Sequence, residues 1–196
     1  MKKVVPADSV LIPDAAQKVF AGKIHDVYHW QQEMFDGSRD TFEMLRRADT
    51  TAVICVVGGK IMVLDDEQPH RSVRKSFPGG RVDATDLNIL ESAKREVLEE
   101  AGYTFQNWRL VDVEQPNPKL EWFVHTYIAW DGEQVGQPQN DGGERITLHL
   151  HEFDEVKQMV LDGVEYINES RRLFKQSETL DDLLALLEFT GIEIER

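Results

Sequence analysis

The stretch Gly80–Tyr103, GRVDATDLNILESAKREVLEEAGY, decides how this chain folds. Leu90, Ala93, Val97 and Ala101 recur at three- and four-residue spacing, which predicts a helix over Leu87 to Ala101. Asn88 with Glu91 three residues on has the form of a capping box, and Gly102 falls where a helix ends in a left-handed residue. Away from the apolar stripe, Glu96, Glu99 and Glu100 stand at i, i+3 and i+4, so three carboxylates share one side of the helix. Such crowding is unfavourable by a few tenths of a kcal/mol per pair. A hard divalent cation reverses the sign, and Mg²⁺ in particular combines a few carboxylates with phosphate oxygens. Arg95 adjoins the cluster and can pair with a carboxylate. The preceding Pro78-Gly79-Gly80 brings bare backbone close to the helix, where a carbonyl can act as a further ligand. Three glutamates alone would suit an ordinary solvated face; the glycines on both sides set this run apart.

Working outward, Thr51–Val57 and Lys60–Leu64 flank Gly58-Gly59 and read as a tight hairpin. A polar loop is expected from Asp65 to Lys75. Downstream, Trp108–Val113 and Trp122–Trp130 read as strands, Asp131 to Gly143 as a Gly-rich loop, and Ile146–Leu150 as a last strand. Helices are expected over roughly 152–162 and 179–189, with another helical stretch around Glu169 to Lys175. Upstream, residues 1–13 read as an arm and Asp14 to Phe20 as one or two helical turns. Val27–Met34 and Thr41–Arg47 form a strand pair around the turn Asp36-Gly37-Ser38. Strands before and after one central helix, with helices at the end, indicate an α/β sandwich.

Composition narrows the function. The chain has 196 residues, 41% hydrophobic, enough for one core. Its 36 acidic against 22 basic residues leave a net charge of −14, which repels polyanions and argues against nucleic-acid binding. The single cysteine, Cys55, lies in an apolar strand and reads as core. No apolar run approaches the ~18 residues of a membrane span, and Pro6, Asp8, Pro13 and Asp14 interrupt any leader-like segment. A reducing, cytoplasmic location is expected. No P-loop lysine is present.

The 80–103 run resembles the Nudix box, G-x5-E-x7-R-E-U-x-E-E-x-G-U with U a bulky aliphatic residue. The chain reads Gly80, five residues, Asp86, eight residues, then Arg95-Glu96-Val97-Leu98-Glu99-Glu100-Ala101-Gly102-Tyr103. The second half matches, with Tyr103 for the last aliphatic. The first half departs twice: Asp replaces Glu, and one extra residue precedes Arg95. In the family the first Glu braces the box Arg. Asp86 must therefore reach across the extra residue, or Asp83 or Glu91 must act instead.

The resemblance implies a Nudix-type α/β/α sandwich with a mixed central sheet and an N-terminal strand pair. Residues 1–47 would be an arm and strand pair serving a homodimer, and 48–196 the catalytic core with C-terminal helices. It implies metal ligands Glu96, Glu99, Glu100 and the Gly79 carbonyl, binding Mg²⁺ with Mn²⁺ able to substitute. Water would attack a diphosphate, with Glu144 or Glu99 as general base and Arg95 in the catalytic set. Features outside the box are most similar to the ADP-ribose and nucleotide-sugar branch: Glu67-Gln68-Pro69-His70-Arg71 after the second core strand, and Gln115-Pro116 followed by Glu121. Arg71, Glu121, Trp30 and Arg47, with Arg46 as its neighbour, are the substrate-binding candidates. Tyr28, Phe35 and Trp122 are further aromatics for stacking, although packing is the commoner role of such residues. The expected reaction cleaves ADP-ribose or a nucleotide sugar to a nucleoside monophosphate and a sugar phosphate. Other nucleoside diphosphate derivatives, or a non-catalytic nucleotide-sugar sensor, are the alternatives.

Overall fold

Val53, Ile54, Cys55 and Val56 are all buried, which requires a strand covered on both faces. The computed structural model, which describes residues 1–139, 143, 145–164, 167 and 170–195, provides both covers. The elements are β1 (Lys2–Val5), β2 (Gln17–Ala21), β3 (Asp26–Glu33), β4 (Arg39–Arg46), β5 (Thr50–Val57), β6 (Lys60–Gln68), β7 (Arg71–Ser76) and α1 (Ile89–Ala101). They continue with β8 (Tyr103–Glu114), β9 (Leu120–Glu121), β10 (Val124–Gln134), β11 (Arg145–His151), α2 (Phe153–Leu161), α3 (Arg171–Gln176), α4 (Leu180–Leu184) and β12 (Ile192–Glu195).

The central sheet runs β11-β6-β5-β10-β8, with β7 on β6. It is mixed: β5 and β10 are parallel, from Thr50 beside Val124 to Cys55 beside Ala129, while β10–β8 and β6–β11 are antiparallel. Alternate side chains go to opposite faces. Val53, Cys55, Met62, Leu64 and Tyr127 pack with Ile89, Ala93, Val97 and Ala101 of α1. Ile54, Val56, Ile61, Val63 and Ile128 pack with Phe153, Val156 and Val160 of α2, Leu173 and Phe174 of α3, and Leu183 of α4. The result is an α/β/α sandwich.

Two further sheets flank it. β2-β3-β4-β9 is joined to the core through β9, which runs parallel to β4 with Leu45 beside Leu120 and Arg46 beside Glu121. β1 pairs antiparallel with β12, bringing together the two ends of the described chain.

Several local expectations are corrected. The segment expected to turn helically from Asp14 to Phe20 contains strand β2, because Gln17-Lys18-Val19-Phe20 finds pairing on β3. The expected loop from Asp65 to Lys75 is mostly a β6–β7 hairpin. Its polar residues suit strands because Asp65 faces Lys75 and Asp66 faces Arg74 across the ladder. β8 begins at Tyr103, β10 extends to Gln134, and the second predicted C-terminal helix closes at Leu184. Neither β1 nor β12 was anticipated.

α1 starts at Ile89, two residues after the expected Leu87, and keeps the Asn88 half of the expected capping box, while the Glu91 carboxylate pairs with Lys94. Asn88 Oδ1 accepts from the Glu91 amide at 3.0 Å. Gly102 has φ +72°, its amide donates to Leu98 O at 3.0 Å, and its carbonyl accepts from Val135 and Gly136. A Cβ on Gly102 would lie 2.5 Å from Gly136 O. Left-handed strain plus this collision makes Gly102→Ala destabilising by about 2 kcal/mol. Thermal unfolding should show Tm lower by roughly 4–8 °C; an unchanged Tm would contradict this account of the helix stop.

Candidate active site

The loop before α1 is laid on the start of β5. Val53 N donates to Pro78 O (2.7 Å), Thr51 N to Gly80 O (2.8 Å) and Val82 N to Asp49 O (2.9 Å). Both glycines are needed on this path. Gly79 has φ +145°, and a Cβ there would stand 2.1 Å from Thr51 O. A Cβ on Gly80 would come 2.7 Å from the Glu96 carboxylate.

Arg95 organises the acidic side chains. Its Nε donates to Asp86 Oδ1 (3.1 Å) and Nη2 to Asp86 Oδ2 (3.0 Å), a bidentate pair. Nη1 donates to Glu96 Oε1 (2.8 Å) and Glu99 Oε2 (3.0 Å), and Nη2 also reaches Arg81 O (3.1 Å). Asp86 therefore braces Arg95 despite the extra residue. Asp83 stands farther off at 3.9 Å, and Glu91 pairs with Lys94. The inserted residue is absorbed in a turn where Asp86 N donates to Asp83 O and Asp83 N to Asp86 Oδ2. Hydrogen bonding from Arg95 outweighs partial burial and holds the Asp86 carboxyl at about 2, below its ordinary 3.8. Burial pushes the Glu96 carboxyl up, and Glu99 and Asp83 add to this; Arg95 offsets it only in part. Glu100 Oε2 accepts from the Gly79 amide at 2.8 Å.

These groups form one side of a cleft of about 880 Å³, within the ~300–1,000 Å³ range of small-molecule sites. Gly79, Gly80, Asp83, Arg95, Glu96, Glu99 and Glu100 line it, and Lys23, Arg46, Arg47 and Glu121 line it too. The two arginines differ. Arg46 lies over the Tyr28 ring and is paired with the buried Glu121 carboxylate at 2.8 Å. Arg47 is stacked on Trp122, 4.8 Å from the ring centroid; among the described residues the Nε of each arginine is buried without an acceptor. Trp122 is itself held by a bond from Nε1 to Thr50 Oγ1 (3.2 Å).

The sequence-predicted residues Gly79, Arg95, Glu96, Glu99, Glu100, Arg47 and Glu121 thus meet in one cleft. Glu121 is built in as a brace, accepting from Ile12 N as well as Arg46. Arg71 does not line the cleft; it pairs with Asp66 on the β6–β7 hairpin. Trp30 does not line it either, and packs on Phe42 with its Nε1 donating to Gln32. Glu144 lies outside the described residues, whereas Gln139 N, five residues before it, donates to Glu99 O at 2.7 Å. Sequence reading missed Lys3 and Asp49, which also line the cleft; no local motif marks either.

The donors suit a hard cation, since every candidate ligand atom is oxygen. Among the described residues no three acidic, histidine or cysteine side chains yet converge at ligand spacing. Glu96 and Glu99 turn to Arg95, and Glu100 to the Gly79 amide.

A carboxylate-bearing helix lies beneath a glycine loop, in a cleft that also carries cations. The sequence matches the NUDIX domain family over residues 45–171, and the chain belongs to the Nudix hydrolase family, whose members generally use a divalent metal. It is 26% identical over 163 residues to the ADP-ribose pyrophosphatase of Bacillus subtilis (strain 168), covering 82% of this chain and 84% of that one. A solved structure described as an ADP compounds hydrolase superposes with a TM-score of 0.62 at 16% identity, covering 82% of this chain and 85% of that one. That likeness shows the shared fold.

Asp86→Asn should release the brace and lower stability at pH 7. Because the folded-state pKa is depressed, the ion pair's contribution is full above pH ~4 and is lost as pH falls through about 2. Denaturant titrations should therefore find the gap between wild type and Asp86→Asn narrowing below pH 4. A gap constant with pH would rule out the ion pair as its source.

Proposed function

We propose that the cleft hydrolyses ADP-ribose or a nucleotide sugar at its diphosphate, releasing a nucleoside monophosphate and a sugar phosphate. The carrying observation is the meeting, in one cleft, of the Glu96/Glu99/Glu100 helix with the Trp122-stacked guanidinium of Arg47. The resemblance to an ADP-ribose pyrophosphatase over most of both chains supports the substrate class.

In this reading Glu96, Glu99, Glu100 and the Gly79 carbonyl hold Mg²⁺, or Mn²⁺ in its place. A cation held there would neutralise phosphate charge and make water a better nucleophile. Arg95 holds Glu96 and Glu99 in place. Arg47 binds a phosphate oxygen through its guanidinium. Glu121 keeps Arg46 from competing for that role. A general base removes a proton from the attacking water as the new P–O bond forms and the bridging P–O bond breaks. Glu144 is the assigned base, with Glu99 the second candidate; the Gln139–Glu99 bond ties the chain leading to Glu144 to the end of α1. The strongly acidic surface suits a small nucleotide substrate over nucleic acid.

We also propose a homodimer. Every residue of edge strand β2 is exposed, including Val19 and Phe20, and Ile24 beyond it is exposed too. Phe20→Glu should give monomers by light scattering where the wild type gives dimers; a monomeric wild type would end this assignment.

Turnover of ADP-ribose, nucleotide sugars, dinucleotides and triphosphates with and without Mg²⁺ tests the reaction. Glu100→Gln should abolish activity with the fold retained. Arg47→Ala should raise KM at least about tenfold, as expected for one lost charged hydrogen bond, with a smaller effect on kcat. Tight nucleotide-sugar binding without turnover at any metal concentration would instead favour a sensor.

A further inference from the structure

The loop carrying Gly79 is oriented by residues 49–53, and those residues are in turn held by the amino-terminal strand. Asp49 is the junction. Its carbonyl accepts from Val82 N, and two residues on, Thr51 N donates to Gly80 O. Its carboxylate, 6% exposed, accepts from Phe123 N at 3.1 Å and from Lys3 Nζ at 2.5 Å. Lys3 is 11% exposed, lies over the Phe123 ring at 4.8 Å and belongs to β1, which pairs with β12 through Lys3 beside Ile194. The remaining neighbour is His125, 1% exposed, whose Nε2 stands farther off, 3.5 Å from Asp49 Oδ2. Lys3 is therefore the nearest cation to a buried carboxylate at the root of the loop carrying Gly79.

We infer that Lys3 is a positioning residue for metal binding, acting through Asp49 on the 78–82 loop, so that the β1–β12 ribbon is a working part of the site. The inference rests on the metal site proposed above. Without Lys3, Asp49 keeps an uncompensated buried charge, and it can relieve this by moving toward His125 or by taking up a proton. Either change disturbs the strand start that aims the Pro78 and Gly80 carbonyls, and with them the Gly79 peptide between.

Mn²⁺ binding, read from the electron paramagnetic resonance signal of the free ion, tests this apart from turnover. Lys3→Met should weaken Mn²⁺ binding about tenfold, the low end of the effect expected for groups that orient ligands. Lys3→Arg should stay within about twofold of wild type. Lys3→Met with Asp49→Asn should recover most of the loss, because the second change removes the stranded charge; a role confined to packing β1 would show no such recovery. Wild-type binding by Lys3→Met, or no recovery in the double variant, overturns the inference. Glu100→Gln separates the two readings: if it too binds Mn²⁺ normally, the metal-site assignment fails and this inference falls with it. If Glu100→Gln loses the ion and Lys3→Met does not, only the role of Lys3 fails. Coupling is reciprocal, so in the unaltered protein Mn²⁺ should slow amide hydrogen exchange in 2–5 and 192–195. Unchanged exchange there overturns the inference even if Lys3→Met cannot be folded.

Discussion

Three carboxylates within two turns of one helix need a cation, and the guanidinium of Arg95 supplies it before any metal arrives. The fork geometry matters. One edge is committed to Asp86 through two parallel bonds, and this leaves Nη1 aimed at Glu96 and Glu99. A lysine in its place would offer a point charge without a fixed direction, and the acidic pair would lose its register with the glycine loop. Asp86 decides where Arg95 sits, Arg95 decides where Glu96 and Glu99 sit, and the absence of a Cβ on Gly80 makes room for Glu96. The Gly79 amide restrains Glu100 separately. Each carboxylate is thus placed by a donor that a divalent ion can partly replace.

The same constraint reaches into the sheet. The glycine loop can face α1 only because it is hydrogen-bonded along the first residues of β5, which lies next to β10 in parallel. That pairing brings Trp122 and Phe123, just ahead of β10, to the start of β5. Trp122 then supports Arg47, and the Phe123 amide satisfies Asp49. Both charged walls of the cleft are consequences of one strand pairing.

What could be read in the sequence follows the range of the interactions. The helix, its caps, the Gly58-Gly59 hairpin and the acidic triplet are set by residues within a few positions of one another, and their signals are local. The box irregularity was visible, but its resolution was not: whether Asp86, Asp83 or Glu91 met Arg95 depended on the turn at 83–86. Strands β1, β2, β7 and β12 were missed because their pairing partners, not their own composition, make them strands. Asp65 and Asp66 look like loop residues until Lys75 and Arg74 stand opposite. Lys3 is 46 positions from Asp49, and no periodicity connects them. Glu121 was read as a substrate contact, yet its carboxylate is occupied by Arg46 and the Ile12 amide, a buried arrangement that only the packing of three segments creates.

A protein of net charge −14 that takes a diphosphate into a carboxylate-lined cleft faces an electrostatic problem. Distant surface charges matter little to it, because at physiological salt they are screened beyond about 8 Å. The local balance decides. Arg46 is neutralised by Glu121, and Arg95 is shared among carboxylates, so neither can meet a phosphate at full strength. Arg47, stacked on an aromatic face, and Lys23 are further cations on the cleft wall. These cations are outnumbered by a diphosphate beside three glutamates. In the reading proposed above, a divalent ion held by those glutamates would supply the remaining positive charge, which would couple metal binding to substrate binding in one cleft.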